Sequence, residues 1–403
     1  MTDRVLEREL RRLEAPHEGD AALRAWEVAA AEFERLAHVP APARRRPLRS
    51  RWLAVAVAAV GVAALAISPS GATVAHWVSQ RFSTTGAKHA KPALVSLPAQ
   101  GRLLVGSRDG TWVVSADGSK RLLGPYRDAT WSPHGLFVAA VRGNNLVAMD
   151  PRGRVHWILP RLPRPRQPSW SPGDGFRVAY LSGSSLRVVA GDGTGDRPLA
   201  GDVASVVPAW RPGPGRVLSY WTTGGQIVTR AADSGRVLWR VSAADPKPLA
   251  LQWTTGGREL MVLGPRRLEL LDGRTGAVLK LLTTGTGLRF QNADLSPDGR
   301  TIALARYDAA ANSSQVFRLS VASRGWRARS VYVGGGRFTA VRWSPDGRWL
   351  LVTWSNANQW LFLRSAPATH VTAVSNISRA FEPDRVGPAG FPAAGPWCCR
   401  PAG

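Results

Sequence analysis

The sequence predicts an all-β fold, a closed ring of short four-stranded antiparallel sheets, and three observations predict it. First, a tryptophan-centred turn recurs: Trp131-Ser-Pro-His-Gly135, Trp170-Ser-Pro-Gly-Asp-Gly175, Trp210-Arg-Pro-Gly-Pro-Gly215, Trp253-Thr-Thr-Gly-Gly257 and Trp343-Ser-Pro-Asp-Gly347. In a sixth copy, Leu295-Ser-Pro-Asp-Gly299, leucine replaces the indole. Second, these anchors lie 39, 40, 43, 42 and 48 residues apart, a period that fits one blade of a β-propeller. Third, 17 Trp, 41 Gly and 30 Pro favour many short, well-packed strands punctuated by turns over long helices.

Each anchor predicts the elements that follow it. Ser and Pro start a tight turn, and Gly closes it at φ > 0 with little strain. A short apolar run comes next: Phe137–Val141, Arg177–Leu181, Val217–Trp221, Glu259–Leu263, Thr301–Ala305 and Trp349–Thr353. A second run follows at Leu146–Met149, Leu186–Val189, Gln226–Thr229, Leu268–Leu271, Gln315–Leu319 and Trp360–Leu363, and then a turn and a third run. This is a meander of antiparallel strands. The anchor residues Trp131, Trp170, Trp210, Trp253, Leu295 and Trp343 are therefore structural, ending innermost strands and wedging between blades.

Residues 93–125 have room for one more blade, with strands at Ala93–Leu97, Leu103–Gly106, Thr111–Ser115 and Arg121–Leu123. The prediction is a seven-bladed propeller over residues 93–380, with a six-bladed ring as the alternative. Closure removes exposed sheet edges. Residues 381–403, rich in Pro, Gly and Ala, read as a disordered tail.

The N-terminal part differs in kind. Trp52–Ile67 carries no charge, and Arg44, Arg45, Arg46, Arg49 and Arg51 precede it. This predicts a transmembrane helix over 51–69 with the N-terminus in the cytoplasm and the remainder exported. A buried core helix or a cleaved signal segment are the competing readings. Residues 1–50 read as two short cytoplasmic helices, one with Leu6, Leu10 and Leu13 after Asp3 and one with Leu23, Trp26, Ala30 and Phe33 after Asp20. Residues 70–92 read as a linker.

The net charge of +25 suits a polyanionic partner or simply an arginine-rich composition. The arginines are spread over the chain and form no nucleic-acid-recognition module, so nucleic acid is not an expected partner. Cys398 and Cys399 are the only cysteines, which excludes a disulfide framework within the fold and a four-cysteine zinc site. They read as exposed thiols or a strained vicinal pair, without a function.

No Gly-x-Ser-x-Gly elbow, His-Glu-x-x-His helix or phosphate-cradling loop is present. Asp192-Gly-Thr-Gly-Asp196 weakly resembles a calcium loop but reads better as a hairpin turn. The expectation is a binding module without catalytic residues, cofactor or metal, with a propeller-type hydrolase or lyase as an alternative. Its candidate binding residues lie in the loops between the second and third strands: Asn144, Asn145, Ser184, Thr222, Arg266, Arg267, Asn312, Asn356 and Asn358.

Trp-Ser-Pro-Asp-Gly followed by an apolar strand resembles the TolB-type propeller repeat, a relative of WD-repeat propellers. Trp343–Gly347 and Leu295–Gly299 match best, Trp131, Trp170 and Trp210 begin looser copies, and Trp253 begins the loosest. The resemblance covers about residues 93–380 and implies extracytoplasmic binding to a protein or cell-wall polymer, without implying an activity. The overall layout is also similar to that of a transmembrane anti-sigma factor, which would give residues 1–50 a cytoplasmic regulatory partner. That family's zinc-binding His and Cys pattern is missing from residues 1–50.

Overall fold

The anchor turn is held by its own side chains, and this sets the spacing of the strands. In the last copy the Ser344 amide donates to the Trp349 carbonyl, and the Ser344 hydroxyl accepts from the Trp349 amide at 2.9 Å. The Asp346 carboxylate accepts from the Ser344 hydroxyl at 2.6 Å and from the Arg348 amide at 3.0 Å. Gly347 donates to the Ser344 carbonyl and takes φ 69°, the left-handed conformation that glycine adopts without a Cβ penalty. The same amide-to-hydroxyl bond recurs at Ser132, Ser171, Thr254 and Ser296. The polar residues of the motif are thus spent on the turn itself.

A computed structural model describes residues 96–399, except 174–175, 246–247, 324, 366–369 and 384–388. These residues form seven four-stranded antiparallel sheets arranged as a ring, so the fold is a seven-bladed β-propeller and the six-bladed alternative is set aside. The helices, membrane span and linker expected over 1–92 lie outside the described residues. No helix among the described residues is long and apolar enough to cross a membrane.

Strands are lettered a to d from the channel outward. The innermost strands of blades 2 to 7 are Arg127–Trp131, Pro165–Trp170, Ala209–Trp210, Ala250–Trp253, Leu288–Leu295 and Phe338–Trp343, each ending on its anchor. Blade 6 has strands of eight residues, which accounts for the wide spacing between Leu295 and Trp343.

Blade 1 corrects two expectations. Its strands b to d are Arg102–Gly106, Thr111–Ser115 and Lys120–Gly124, close to their predicted places, but strand a is Ala393–Cys398 rather than Ala93–Leu97. Within the stretch expected to be a disordered tail, residues 393–398 therefore close the ring. Arg102 pairs with Cys398, Leu103 with Trp397 and Val105 with Ala394. The physical reason is the otherwise unpaired edge of Arg102–Gly106, whose Leu103 and Val105 are fully buried. Gly101 permits the approach: a Cβ there would come within 2.7 Å of the Cys398 carbonyl oxygen. Cys398 and Cys399 are disulfide-bonded to each other and half-buried, so they are not exposed thiols.

Trp397 is the seventh anchor. The Trp131 indole N–H donates to the Pro396 carbonyl at 3.2 Å, Trp210 to Ser169 at 2.9 Å and Trp343 to Asp294 at 3.1 Å. In every case the acceptor immediately precedes the anchor of the blade before. Farther out, a side chain from one blade caps the carbonyl just past strand c of the next: Trp157 on Gly191, Arg197 on Ala232, Trp239 on Gly273, Lys280 on Val321 and Arg318 on Ser365. These bonds satisfy buried backbone oxygens that no strand reaches.

Described residues between blade 7 and the closing strand pack against the ring. A short helix, Ile377–Phe381, buries Phe381 against Trp360, with ring centroids 5.4 Å apart. The fully buried Glu382 carboxylate accepts from the amides of Arg108 at 3.1 Å and Gly390 at 2.9 Å.

Candidate functional site

An antiparallel meander places the anchor turns and c–d turns on one face of the ring, and the b–c turns and d–a connectors on the other. All nine candidate binding residues lie in or beside b–c turns on this second, upper face. They sit on successive blades rather than converging on one pocket. Several are committed to holding the loops. The Thr222 hydroxyl accepts from the Gln226 amide at 3.0 Å, and the Arg266 amide donates to Asp245 at 3.3 Å. Asn312 and Asn358 take φ 45° and 53°, as asparagine in tight turns does. Asn358 Oδ1 also accepts from the Ser378 amide and hydroxyl, and Asn356 Oδ1 accepts from the Arg337 amide at 2.9 Å. The Asn144, Asn145 and Ser184 side chains have no hydrogen bond among the described residues.

The upper face has a second feature that the polar-loop reading missed. Leu162, Val207 and Leu249 are 77%, 47% and 44% exposed in three successive d–a connectors. These three aliphatic side chains stand outward on neighbouring connectors of one face. Each lies beside a proline, as Leu162-Pro163, Val207-Pro208 and Pro248-Leu249. That pairing was visible in the sequence but carried no periodic signal.

The free edges of the innermost strands face the channel, and polar side chains from the preceding blade cap them. The Leu295 amide donates to Gln252 at 3.1 Å, Val341 to Asn292 at 3.2 Å and Trp343 to Asp294 at 2.8 Å. Arg342 donates to Asn292 at 2.9 Å. Asp294 retains some accessible surface on the channel yet is enclosed by protein. Burial raises its carboxyl above the usual aspartate range, opposed by Arg342 and by the amide of Trp343. These channel residues predominantly satisfy one another.

Asp196 anchors a denser cluster between blades 2 and 3. It accepts from the Tyr180 hydroxyl at 2.7 Å, is held by Arg187 at 2.7 Å, and pairs with Arg161. Burial, followed by the adjacent Asp196 carboxylate, pushes the Tyr180 phenol up to about 12. Asp192 instead caps the amide and hydroxyl of Thr194. The two carboxylates of the calcium-like segment thus serve different neighbours, and the segment is the turn between strands c and d. No group of three His, Cys, Asp or Glu among the described residues is placed to hold a metal.

The clefts among the described residues include one on each face of the ring. One of about 480 Å³ on the anchor face is lined by Pro172, Gly173, Trp210, Arg211, Pro214 and Arg216. One of about 340 Å³ on the upper face, between blades 1 and 2, is lined by Ser107, Thr111, Tyr126, Arg127, Asp128 and Ala394. None of the nine candidates lines either cleft.

Closed ring, recurring anchors and capped seams define a seven-bladed β-propeller. Among solved structures the chain is similar to Kuenenia stuttgartiensis hydrazine synthase, with 16% identity, a TM-score of 0.49, and coverage of 59% of this chain and 75% of that one. It is also similar to the β-propeller domain of Myceliophteria thermophila Cps50 (Swd1), with 14% identity, a TM-score of 0.49, and coverage of 61% and 85%. No protein-family profile and no curated protein matches the chain.

Proposed function

We propose that the chain is a single-pass membrane protein whose extracytoplasmic, TolB-like propeller is a non-enzymatic binding module for an exported protein. The observation that carries this reading is the upper face, where Leu162, Val207 and Leu249 stand exposed beside the polar b–c turns. Exposed aliphatic side chains interspersed with polar ones on one face suit a protein partner. A cell-wall polymer would call for a groove of polar and aromatic groups, and the nine loop residues line neither of the clefts described above. The apolar run Trp52–Ile67 with its arginine flank supports the anchor and the orientation.

The test is purification of the full chain from membranes after cross-linking, in parallel with a Leu162→Asp/Leu249→Asp variant. A discrete partner captured by the parent and lost from the variant, with unchanged melting of the variant, supports the reading. Equal capture by both proteins sinks it. Protease accessibility in intact cells checks orientation: the propeller should be cut from outside and residues 1–50 protected.

A further inference from the structure

We propose that the anchor face of the propeller rests against an anionic lipid surface, through a rim of arginines repeated from blade to blade. Two residues before the strand-b partner of each anchor, just past the anchor turn, stands an arginine in four consecutive blades, Arg216, Arg258, Arg300 and Arg348, and Arg102 and Arg177 stand one residue further on in blades 1 and 3. This recurrence puts arginines on the same end of four neighbouring blades. Arg258, Arg300 and Arg348, on consecutive blades, are exposed, and their side chains have no hydrogen bond or ion pair among the described residues. The turn aspartates beside two of them are occupied: Asp298 by the Ser296 hydroxyl and the Arg300 amide, Asp346 by the Ser344 hydroxyl and the Arg348 amide. Those carboxylates offset part of the local charge, but basic residues still outnumber acidic ones across the anchor and c–d turns.

Two further observations select a bilayer over a soluble polyanion. Blade 2 carries Leu136 at the equivalent position, 61% exposed, and Phe176, beside Arg177 in blade 3, is 48% exposed. Basic residues interleaved with projecting apolar ones are the composition that binds anionic headgroups and dips into the interface. The chain also enters the propeller on this face, since residues 98–101 lead into the start of strand Arg102–Gly106. The choice of a membrane as the anionic surface rests on the membrane reading above; the rim and the exposed apolar residues do not.

The test incorporates the full chain into nanodiscs of phosphatidylcholine, or of equal parts phosphatidylcholine and phosphatidylglycerol, and follows deuterium uptake by the turns at 132–136, 296–300 and 344–348. The expectation is slower uptake in the anionic discs, reversed by high salt and in an Arg258→Gln/Arg300→Gln/Arg348→Gln variant, with upper-face turns unchanged. Each arginine removed should weaken the face's affinity about fivefold. An Arg289→Gln variant on the upper face should behave as the parent.

Equal uptake in the two disc types, or protection of the upper-face turns alone, overturns the proposal. Protection by poly(glycerol phosphate) in solution without protection by anionic discs overturns it in favour of a wall polymer. If the chain does not enter discs, the anchor reading fails on its own. Co-sedimentation of the same chain with vesicles of both compositions then decides the rim: salt-sensitive binding to anionic vesicles alone supports it, and no preference overturns it.

Discussion

Trp397→Ala is the most direct test of ring closure. The indole is buried at the end of the closing strand, beside Phe362 with ring centroids 5.9 Å apart, and pairs in register with Leu103. Large-to-small replacement of a buried tryptophan costs about 3–5 kcal/mol, because transfer energy is lost and a cavity remains. The Trp397 indole N–H has no acceptor among the described residues, so no hydrogen-bond loss adds to this. The propeller orders about 300 residues, and an unfolding entropy of roughly 2.1 cal/mol/K per residue makes 1 kcal/mol worth about 1.6 °C. The melting temperature should fall by about 5–8 °C, measured by calorimetry on the full chain. Trp131→Ala should cost about 1 kcal/mol more, because its N–H donates to Pro396 across the seam. The double variant should lose less than the sum of the two, since the residues share that seam. A Trp397→Ala protein that melts within 1 °C of the parent would refute closure by residues 393–398 and restore the disordered-tail reading.

Three further outcomes follow from buried polar groups. Glu269 sits buried in strand c of blade 5, where desolvation first raises its carboxyl, with Arg267 opposing and Asp245 adding. The ionisation penalty is absent below the unfolded glutamate value near 4.3 and complete above the raised folded value, so Glu269→Gln should raise the melting temperature at pH 7 and change little at pH 4. Asp196→Asn strips Arg161 and Arg187 of their carboxylate, with an expected loss of about 3 kcal/mol by urea unfolding, and should lower the alkaline titration midpoint of Tyr180 from about 12 in ultraviolet difference spectra. Ser344→Ala leaves the Trp349 amide without its hydroxyl acceptor and should cost about 1–3 kcal/mol, read by the same urea titration.

The sequence disclosed the parts of the fold that repeat. Strands b and c of blades 2 to 7 lie within a few residues of their predicted positions, because apolar runs and Gly-closed turns mark both ends of each. The closing strand was hidden for a physical reason. Ala393-Ala-Gly-Pro-Trp-Cys398 lacks the β-branched residues of an autonomous strand and is held by the neighbouring edge it completes. Its anchor, Trp397, falls out of period because the ring joins there across the ends of the propeller rather than along the chain. The binding face was half legible. Polar b–c turns follow from strand count, whereas the exposure of Leu162, Val207 and Leu249 depends on how non-repeating connectors are directed. The arginine rim was written in Gly-Arg pairs at 101–102, 215–216, 257–258, 299–300 and 347–348, but only the ring shows that they share one end.

Blade 1 joins the first and last stretches of the propeller, and this constrains how the protein is made. A chain emerging at about 5–20 residues per second needs roughly 15–60 s to pass from Arg102 to Ala393. During that interval the growing product has an unsatisfied edge at its leading end, open to mispairing with other nascent chains. A premature stop anywhere before residue 393 would make that interval permanent. Quality control that recognises incomplete sheets would then see every truncated product, however many blades it had finished.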